Sequence, residues 1–515
     1  MRLLMNVKPL FIPLCLTLSA ALPAQPRDTA LPNIILILAD DLGYGELGSY
    51  GQKVIETPHI DALASSGLRF TQFYSAAPVC APARCMLLTG LHSGHAYIRG
   101  NDELSGRGPV WDFAKAVEDP NLEGQRPLPD STFTMGDLLQ ERGYTTAVIG
   151  KWGLGGPLTE GIPNKLGFDF FYGYNCQRQA HTYYPRHLWK NGEKDWLNNK
   201  LVPPHTRLPE GADTLDEASY ADFELAQYAP DLMLDEARQF IRENKSRPFF
   251  LYYATPIPHL PLQAPRRWVD HYREKLGPEP PYTGNKGYFP CRYPRATYAA
   301  MISCLDEQVG ALVAQLKAEG LYENTLILFT SDNGPTYTGG ADTPFFESGG
   351  PFGCDYGRGK GFVYEGGIRV PFIASWPGHV PAGSSTGLQA AFWDLLPTFA
   401  ALTRGQLPSD TDGLSLLPAL LGQPEKQARH EFLYWEFPEY KGQQAVRMGP
   451  WKAIRRNMQD GNLAIELYNL ETDTTEQEDV AARHPDIVAR MAEIMQQEHS
   501  TSEFSRFYLK ALGEE

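Results

Sequence analysis

Four segments of this chain end apolar runs with residues that could share one piece of chemistry. Asp40-Asp41, Lys151, His259 and Asp332-Asn333 follow the runs Asn33 to Ala39, Thr145 to Gly150, Phe249 to Ala254 and Thr325 to Thr330. Such runs read as buried strands. In an open α/β sheet the site lies beyond the carboxyl ends of the strands, so all four segments fall at one edge. Asp40, Asp41, Asp332 and Asn333 are oxygen donors suited to a hard divalent cation such as Ca²⁺, and adjacent carboxylates repel one another unless a cation lies between them. Cys80, in Cys80-Ala81-Pro82-Ala83-Arg84, would open a helix whose backbone N–H groups favour an anion, with Arg84 one turn on. Each residue alone has a plainer explanation. Asp40 could cap a turn, a single lysine is most often solvated, and a buried cysteine at a helix start needs no chemistry.

The elements that must position these groups are legible in outline. A fifth buried strand, read as parallel like the others, covers Pro371 to Trp376. Helices alternate with the strands. Thr57-Pro58 reads as an N-cap with proline in the first turn and Gly67 as the stop, Asp137 to Arg142 closes at Gly143, and Ala296 to Ala318 closes at Gly320. The alternation predicts an α/β fold with a doubly wound, mostly parallel sheet flanked by helices. The stretch from about Pro157 to Arg247, rich in Pro, Tyr, Asn and His, reads as insertions over the site. Past about residue 425, Phe432 to Phe437, Gln444 to Arg447, Trp451 to Arg455 and Ile465 to Tyr468 predict short antiparallel strands, followed by a helix from Pro485 to about Glu498. The expected organisation is a catalytic domain over 25–425 and a smaller α+β subdomain over 426–515.

With 515 residues, 42% of them hydrophobic, the chain can bury a large core. Its net charge of −15 argues against nucleic acid or an anionic membrane as a partner, so an anionic substrate would need a local cluster of cations. Residues 1–24 read as a secretory signal: Arg2 and Lys8, an apolar run around Leu10 to Leu22, and Ala20, Ala21 and Ala24 as cleavage points. The run is short and contains Pro13, so no retained membrane span is expected. The mature chain is expected to be exported, periplasmic or secreted, and to keep Cys80, Cys85, Cys176, Cys291, Cys304 and Cys354.

The run Cys80-Ala81-Pro82-Ala83-Arg84-Cys85-Met86-Leu87-Leu88-Thr89-Gly90 fits the signature C-x-P-x-R followed by L-T-G. With Ala39-Asp40-Asp41-Leu42-Gly43, Gly150-Lys151-Trp152-Gly153-Leu154-Gly155, Pro258-His259-Leu260-Pro261, Ser331-Asp332-Asn333-Gly334, Gly359-Lys360-Gly361 and Tyr364-Glu365-Gly366-Gly367, in that order, the chain resembles the type I, formylglycine-dependent sulfatases, arylsulfatase-like members of the alkaline phosphatase superfamily. The resemblance implies that a maturation enzyme oxidises Cys80 to formylglycine, that position 80 joins Asp40, Asp41, Asp332 and Asn333 around one calcium ion, and that Lys151 and Lys360 hold sulfate oxygens. It further implies that His259, with Lys360, protonates the departing alcohol, and that Asp332 takes the proton of the attacking hydroxyl. One hydroxyl of the aldehyde hydrate displaces the alcohol from sulfur. The second then loses its proton and sulfate leaves as the aldehyde re-forms.

One position departs from the pattern: many sulfatases carry histidine in G-K-W-H-L-G, where this chain has Gly153. His181, in Asn175 to Tyr184, is the candidate for the missing role, on the side of position 80 away from His259; packing or substrate binding is the alternative, and His92 and His95 are weaker candidates. The same segment, with Tyr172, Tyr174, Gln177, Arg178, Tyr183, Tyr184, His187 and Trp189, suits a sulfated glycan, and Arg99 and Asn101 are candidates for the pocket rim. Three other readings compete. Gly43-Tyr44-Gly45-Glu46-Leu47-Gly48 matches a dinucleotide fingerprint, but Asp40 and Asp41 stand where pyrophosphate would approach. A phosphodiester or phosphonate monoester hydrolase of the same superfamily would use the same groups. A binding protein with a dead site is conceivable from Gly153.

Overall fold

The structure is a computed structural model that describes residues 31–408 and 411–515. The secretory-signal reading of residues 1–24 lies outside the described residues. Residues Pro32–Glu515 form one compact unit. No helix among the described residues is long and apolar enough to cross a membrane.

The main sheet has eleven strands: β1 (Asn33–Ala39), β2 (Leu68–Tyr74), β3 (Thr145–Lys151), β4 (Phe170–Tyr174), β5 (His187–Lys190), β6 (Glu193–Trp196), β7 (Phe249–Ala254), β8 (Thr325–Ser331), β9 (Arg369–Ser375), β10 (Ser384–Thr386) and β11 (Ala390–Ala391). Their order is β10-β2-β9-β8-β1-β7-β3-β4-β5-β6, with β11 beside β2. The central strands β8, β1, β7, β3 and β4 are mutually parallel, and β1, β7 and β8 are buried at every residue. That is why they read as unbroken apolar runs. β9 runs antiparallel to both β8 and β2, which corrects the parallel reading of Pro371 to Trp376. A strand covered on both faces has no alternation from which direction could be read. The insertion reading of Pro157 to Arg247 also needs correction. β4, β5 and β6 extend the sheet, and the helix Ala229–Glu243 buries Met233, Ala237, Phe240 and Ile241 in the main core.

The helix Pro294–Ala318 turns Met301, Leu305, Val309, Leu312 and Leu316 into the same core. The helix Met135–Glu141 starts at a reciprocal cap between Thr134 and Asp137 and packs on β3. A separate antiparallel sheet, β12 (Leu433–Phe437), β13 (Gln443–Met448), β14 (Trp451–Arg456) and β15 (Ile465–Asn469), carries the helix Pro485–Gln497. Met491, Ile494 and Met495 of that helix pack on Tyr434, Val446, Ala453 and Leu467.

Candidate active site

Parallel pairing places Ala39 opposite Ser331, so the acids that follow β1 and β8 emerge side by side. The Asp41 amide donates to Asp332 Oδ1 (3.0 Å) and Asn333 Nδ2 donates to Asp41 Oδ1 (2.7 Å). Asp41 itself is held in the left-handed region (φ 66°), a strained backbone of the kind that collects at functional sites. Lys151, the last residue of β3, reaches Asp40 Oδ2 at 2.5 Å. Cys80 opens the helix Cys80–Thr89, and Arg84, one turn later, donates Nε and Nη2 to Asp332 Oδ2 (3.1 and 2.8 Å) and Nη1 to the Lys151 carbonyl (2.6 Å). Lys360 Nζ sits 2.6 Å from Asp41 Oδ1 and 3.6 Å from Cys80 Sγ, which is itself 3.4 Å from Asp40 Oδ1. His259 Nε2 lies 3.7 Å from Asp41 Oδ2, while Nδ1 is 2.7 Å from the Leu260 carbonyl. A carbonyl can only accept, so the neutral ring keeps its proton on Nδ1 and a lone pair on Nε2.

All of these groups are buried except Lys360, which is partly exposed. Burial works against the charge of Asp40, but Lys151, Arg84 and Lys360 more than offset it and hold its carboxyl well below the usual range. Burial and the neighbouring Asp40 charge push Asp332 up, and burial does the same to Asp41. Lys360 stays protonated because Asp41 outweighs its burial, whereas burial, Lys360 and Lys151 keep His259 neutral. Burial also pushes the Cys80 thiol up in spite of both lysines. The cluster does not make a thiolate, so an unmodified Cys80 is a poor nucleophile here.

The donor set fits a hard cation. Asp40, Asp41, Cys80 and His259 bring one ligand atom each within 4.8 Å of one another. Asn333 Oδ1, fully buried, has no hydrogen-bond partner among the described residues, although its amide nitrogen has two. An orphaned carbonyl oxygen amid carboxylates is what an oxygen-seeking ion would satisfy.

The other expected residues divide. His181 does reach the site, but its ring stacks on His259 (centroids 5.4 Å apart, 17° between planes), so the two imidazoles share a wall instead of flanking position 80. Its Nδ1 is buried with no hydrogen-bond partner among the described residues, and burial with Lys151 and His205 brings the ring down to about 3. Arg178 is not free for substrate. It is fully buried, pairs with Glu103 and donates to the Leu122 and Gly124 carbonyls, pinning its own loop. Arg99 is likewise withdrawn, bonded to Glu436 at 2.5 Å and to Ser500. Asn101 caps the helix that Cys80 opens, its Oδ1 accepting from the Ala81 amide at 3.3 Å. Gln177 faces the gap at Gly153: a Cβ there would lie 3.3 Å from Gln177 Oε1 and 3.4 Å from Gln125 Oε1. His92 and His95 stand apart, with Asp412 and Glu498.

Several residues at the site carry no sequence signal. Tyr288 packs edge-on to His181 (5.2 Å) and His259 (6.0 Å), and Trp111, half exposed, tilts over His181 at 6.2 Å. They come from stretches without motif or period, so only folding brings them in.

A doubly wound sheet whose strand ends present carboxylates, lysines and an amide around a helix-opening residue defines an ester hydrolase of the alkaline phosphatase-like class. The Sulfatase family model matches residues 32–405, and that for the C-terminal region of N-sulphoglucosamine sulphohydrolase matches 356–501. Arylsulfatase A of Bos taurus is 36% identical over 451 residues, 85% of this chain and 77% of that protein. N-acetylgalactosamine-6-sulfatase of Canis lupus familiaris is 34% identical over 79% of this chain and 70% of its own length. The structure of Ps i-CgsB in complex with k-i-k-neocarrahexaose superposes with a TM-score of 0.70 at 29% identity, covering 92% of this chain and 94% of the other. The chain belongs to the sulfatase family and is a sulfuric ester hydrolase.

Proposed function

We propose that this protein is an exported sulfatase that removes sulfate from a carbohydrate, using formylglycine formed from Cys80 by a maturation enzyme and one bound calcium ion. The observation that carries the reading is position 80 itself. It sits at a helix N-terminus, touching Lys360 and Asp40 and ringed by Lys151 and Arg84, yet burial makes its unmodified thiol inert. Two of the similar proteins support the substrate class: one is named N-acetylgalactosamine-6-sulfatase, and the other is in complex with k-i-k-neocarrahexaose.

Asp40, Asp41, Asp332 and Asn333 would hold the calcium, whose charge favours the deprotonated nucleophile and polarises a sulfate oxygen. Lys151 and Lys360 offer compact positive charge to the remaining sulfate oxygens as charge redistributes. Arg84 fixes Asp332 and the Lys151 backbone, so its work is positioning. In the substrate-free protein the proton that a departing alcohol needs is held at Lys360 Nζ. His259 presents an Nε2 lone pair, and the negative charge of a bound sulfate ester favours its imidazolium, letting it share the donation. His181, stacked behind it, orients that ring.

Peptide mass spectrometry after co-expression with a maturation enzyme is expected to find aldehyde at position 80 and thiol at Cys85. Full turnover by Cys80→Ala, or by protein shown to be free of metal, would overturn the proposal. His181→Ala is expected to lower kcat more than it raises KM; the reverse would make it a substrate contact. A sulfate ester and its phosphodiester analogue, compared at steady state, separate this reading from a phosphodiesterase.

A further inference from the structure

Beside Lys360 lies a group of aromatic rings that the chemistry above does not use. Tyr356 is 76% exposed and Tyr440 is 46% exposed, unusual for large rings at the rim of a buried site. Tyr356 stands edge-on to Tyr337 (5.5 Å) and to Phe362 (5.4 Å), and Phe362 edge-on to Tyr440 (5.4 Å). The Lys360 charge acts on the phenols of both Tyr337 and Tyr440.

The rings are built into the site. Gly361, directly after Lys360, has no room for a side chain, because a Cβ there would lie 2.7 Å from the Tyr440 ring. The Gly361 amide in turn bonds the Pro78 carbonyl (2.9 Å), two residues before Cys80. Tyr440 sits at the tip of the β12–β13 hairpin, and both Tyr440 (φ 50°) and Lys441 (φ 73°) are held in the left-handed region. The tip is also anchored through Glu439, which accepts from the Asn101 amide at 3.1 Å, the same Asn101 that caps the Cys80 helix. A strained turn tied to both the nucleophile helix and the Lys360 loop is overdetermined, as positioned binding elements are.

We infer that Tyr356 and Tyr440, braced by Tyr337 and Phe362, form a stacking subsite for a sugar ring next to the sulfated one, so that the preferred substrate is a sulfated oligosaccharide. Exposed phenol faces match the C–H faces of a pyranose, and their hydroxyls can bond the ring substituents. Continuity with Lys360 fixes which sugar would reach them: one joined directly to the residue whose sulfate is held there. The inference rests on the carbohydrate reading above.

The test compares kcat/KM of the mature, calcium-loaded enzyme on a sulfated monosaccharide and on oligosaccharides containing the same sulfated unit. The wild type is expected to prefer the oligosaccharide by about tenfold or more, and Tyr356→Ala to reduce that ratio by about tenfold, mainly through KM. Tyr356→Phe keeps the ring face and is expected to keep most of the preference. A wild type that gains nothing from added sugars, or a ratio unmoved in Tyr356→Ala, would overturn the subsite while leaving the carbohydrate reading intact. A wild type that cleaves aryl sulfates but no sugar sulfate would overturn both.

Discussion

At the scale of single residues, the clearest dependency is that of Asp332 on Arg84. Both are fully buried, and two guanidinium nitrogens converge on one carboxylate oxygen. Removing a buried ion's partner costs more than the pair contributes, because the remaining charge is left without solvent or counter-ion. Arg84→Met is therefore expected to lower stability by about 3–5 kcal/mol in urea unfolding and to abolish turnover. A variant as stable as the wild type would show that Asp332 is satisfied by other groups. Gly153 offers a second test. Its φ of 80° is left-handed, so Gly153→Ala is expected to cost about 1–2 kcal/mol. Gly153→His adds a side chain against Gln177 and Gln125, and is expected to lower the melting temperature without raising kcat. Faster turnover by Gly153→His would mean that the gap can still receive an imidazole. These residues were legible because each belongs to a contiguous motif. Arg99 and Arg178 were misread for the opposite reason. Their chemistry suited a sulfated sugar, and nothing local revealed that Glu436 and Glu103 had claimed them.

At the scale of elements, buried apolar runs marked β1, β3, β7, β8 and β9, but not how they run, and the remaining strands of the main sheet went unread. β1, β7 and β8 are parallel and β9 is antiparallel, yet all four are buried along nearly their whole lengths around mainly apolar middles. β8 ends at Ser331 and β9 begins at Arg369, and a connection that long can return in either direction, so no short-turn signature fixes how β9 runs. The helix start at Thr57-Pro58 was legible, since the helix does begin at Pro58, but the start at Thr134 was not, and the reading from Asp137 missed its cap. Thr134 Oγ1 accepts from the Gly136 amide (3.1 Å) and also lies 2.9 Å from the Leu166 carbonyl, while Asp137 Oδ2 takes the Thr134 amide at 2.9 Å. Thr134→Ala removes the first half of that exchange and is expected to destabilise by about 1–2 kcal/mol, with Thr134→Ser recovering most of it. Since the helix packs on β3, which ends in Lys151, kcat is expected to change little while the fold holds. A fall in kcat at full stability would mean that the cap also sets the position of Lys151.

At the scale of the whole molecule, the smaller sheet is locked to the catalytic part by buried charge. Lys452 of β14 is fully buried and reaches Glu365 at 2.9 Å and Glu476 at 3.0 Å; Glu365 also takes the Tyr74 hydroxyl and Arg369, and the Glu365 amide bonds Glu476. One ammonium between two carboxylates cannot keep both ionised cheaply. Burial opposes the charge on Glu365, but Lys452, Arg369 and Arg447 overcome it and bring its carboxyl to about 2. For Glu476 burial prevails over Lys452, with the Glu365 charge adding to it, and the carboxyl rises to about 7. The two shifts act on stability in opposite senses. Glu365, depressed from 4.5, contributes stability that is present above that value and is lost as pH falls towards 2. Glu476, raised from 4.5, stays protonated in the fold where the unfolded chain has ionised, so it removes stability as pH rises from 4.5 to about 7. Glu476→Gln keeps the shape and takes away only the second titration. Its stability is expected to fall less steeply than that of the wild type between pH 4.5 and 7, and to follow the wild type below 4.5. Urea unfolding across that range checks it. Parallel pH profiles in the two proteins would mean that Glu476 is ionised throughout and that Lys452 neutralises both carboxylates. The consequence reaches the active site, because Glu365 follows the Lys360 loop closely in the chain. Charge balance beneath the smaller sheet thus bears on the segment that carries Lys360, the proton donor proposed above.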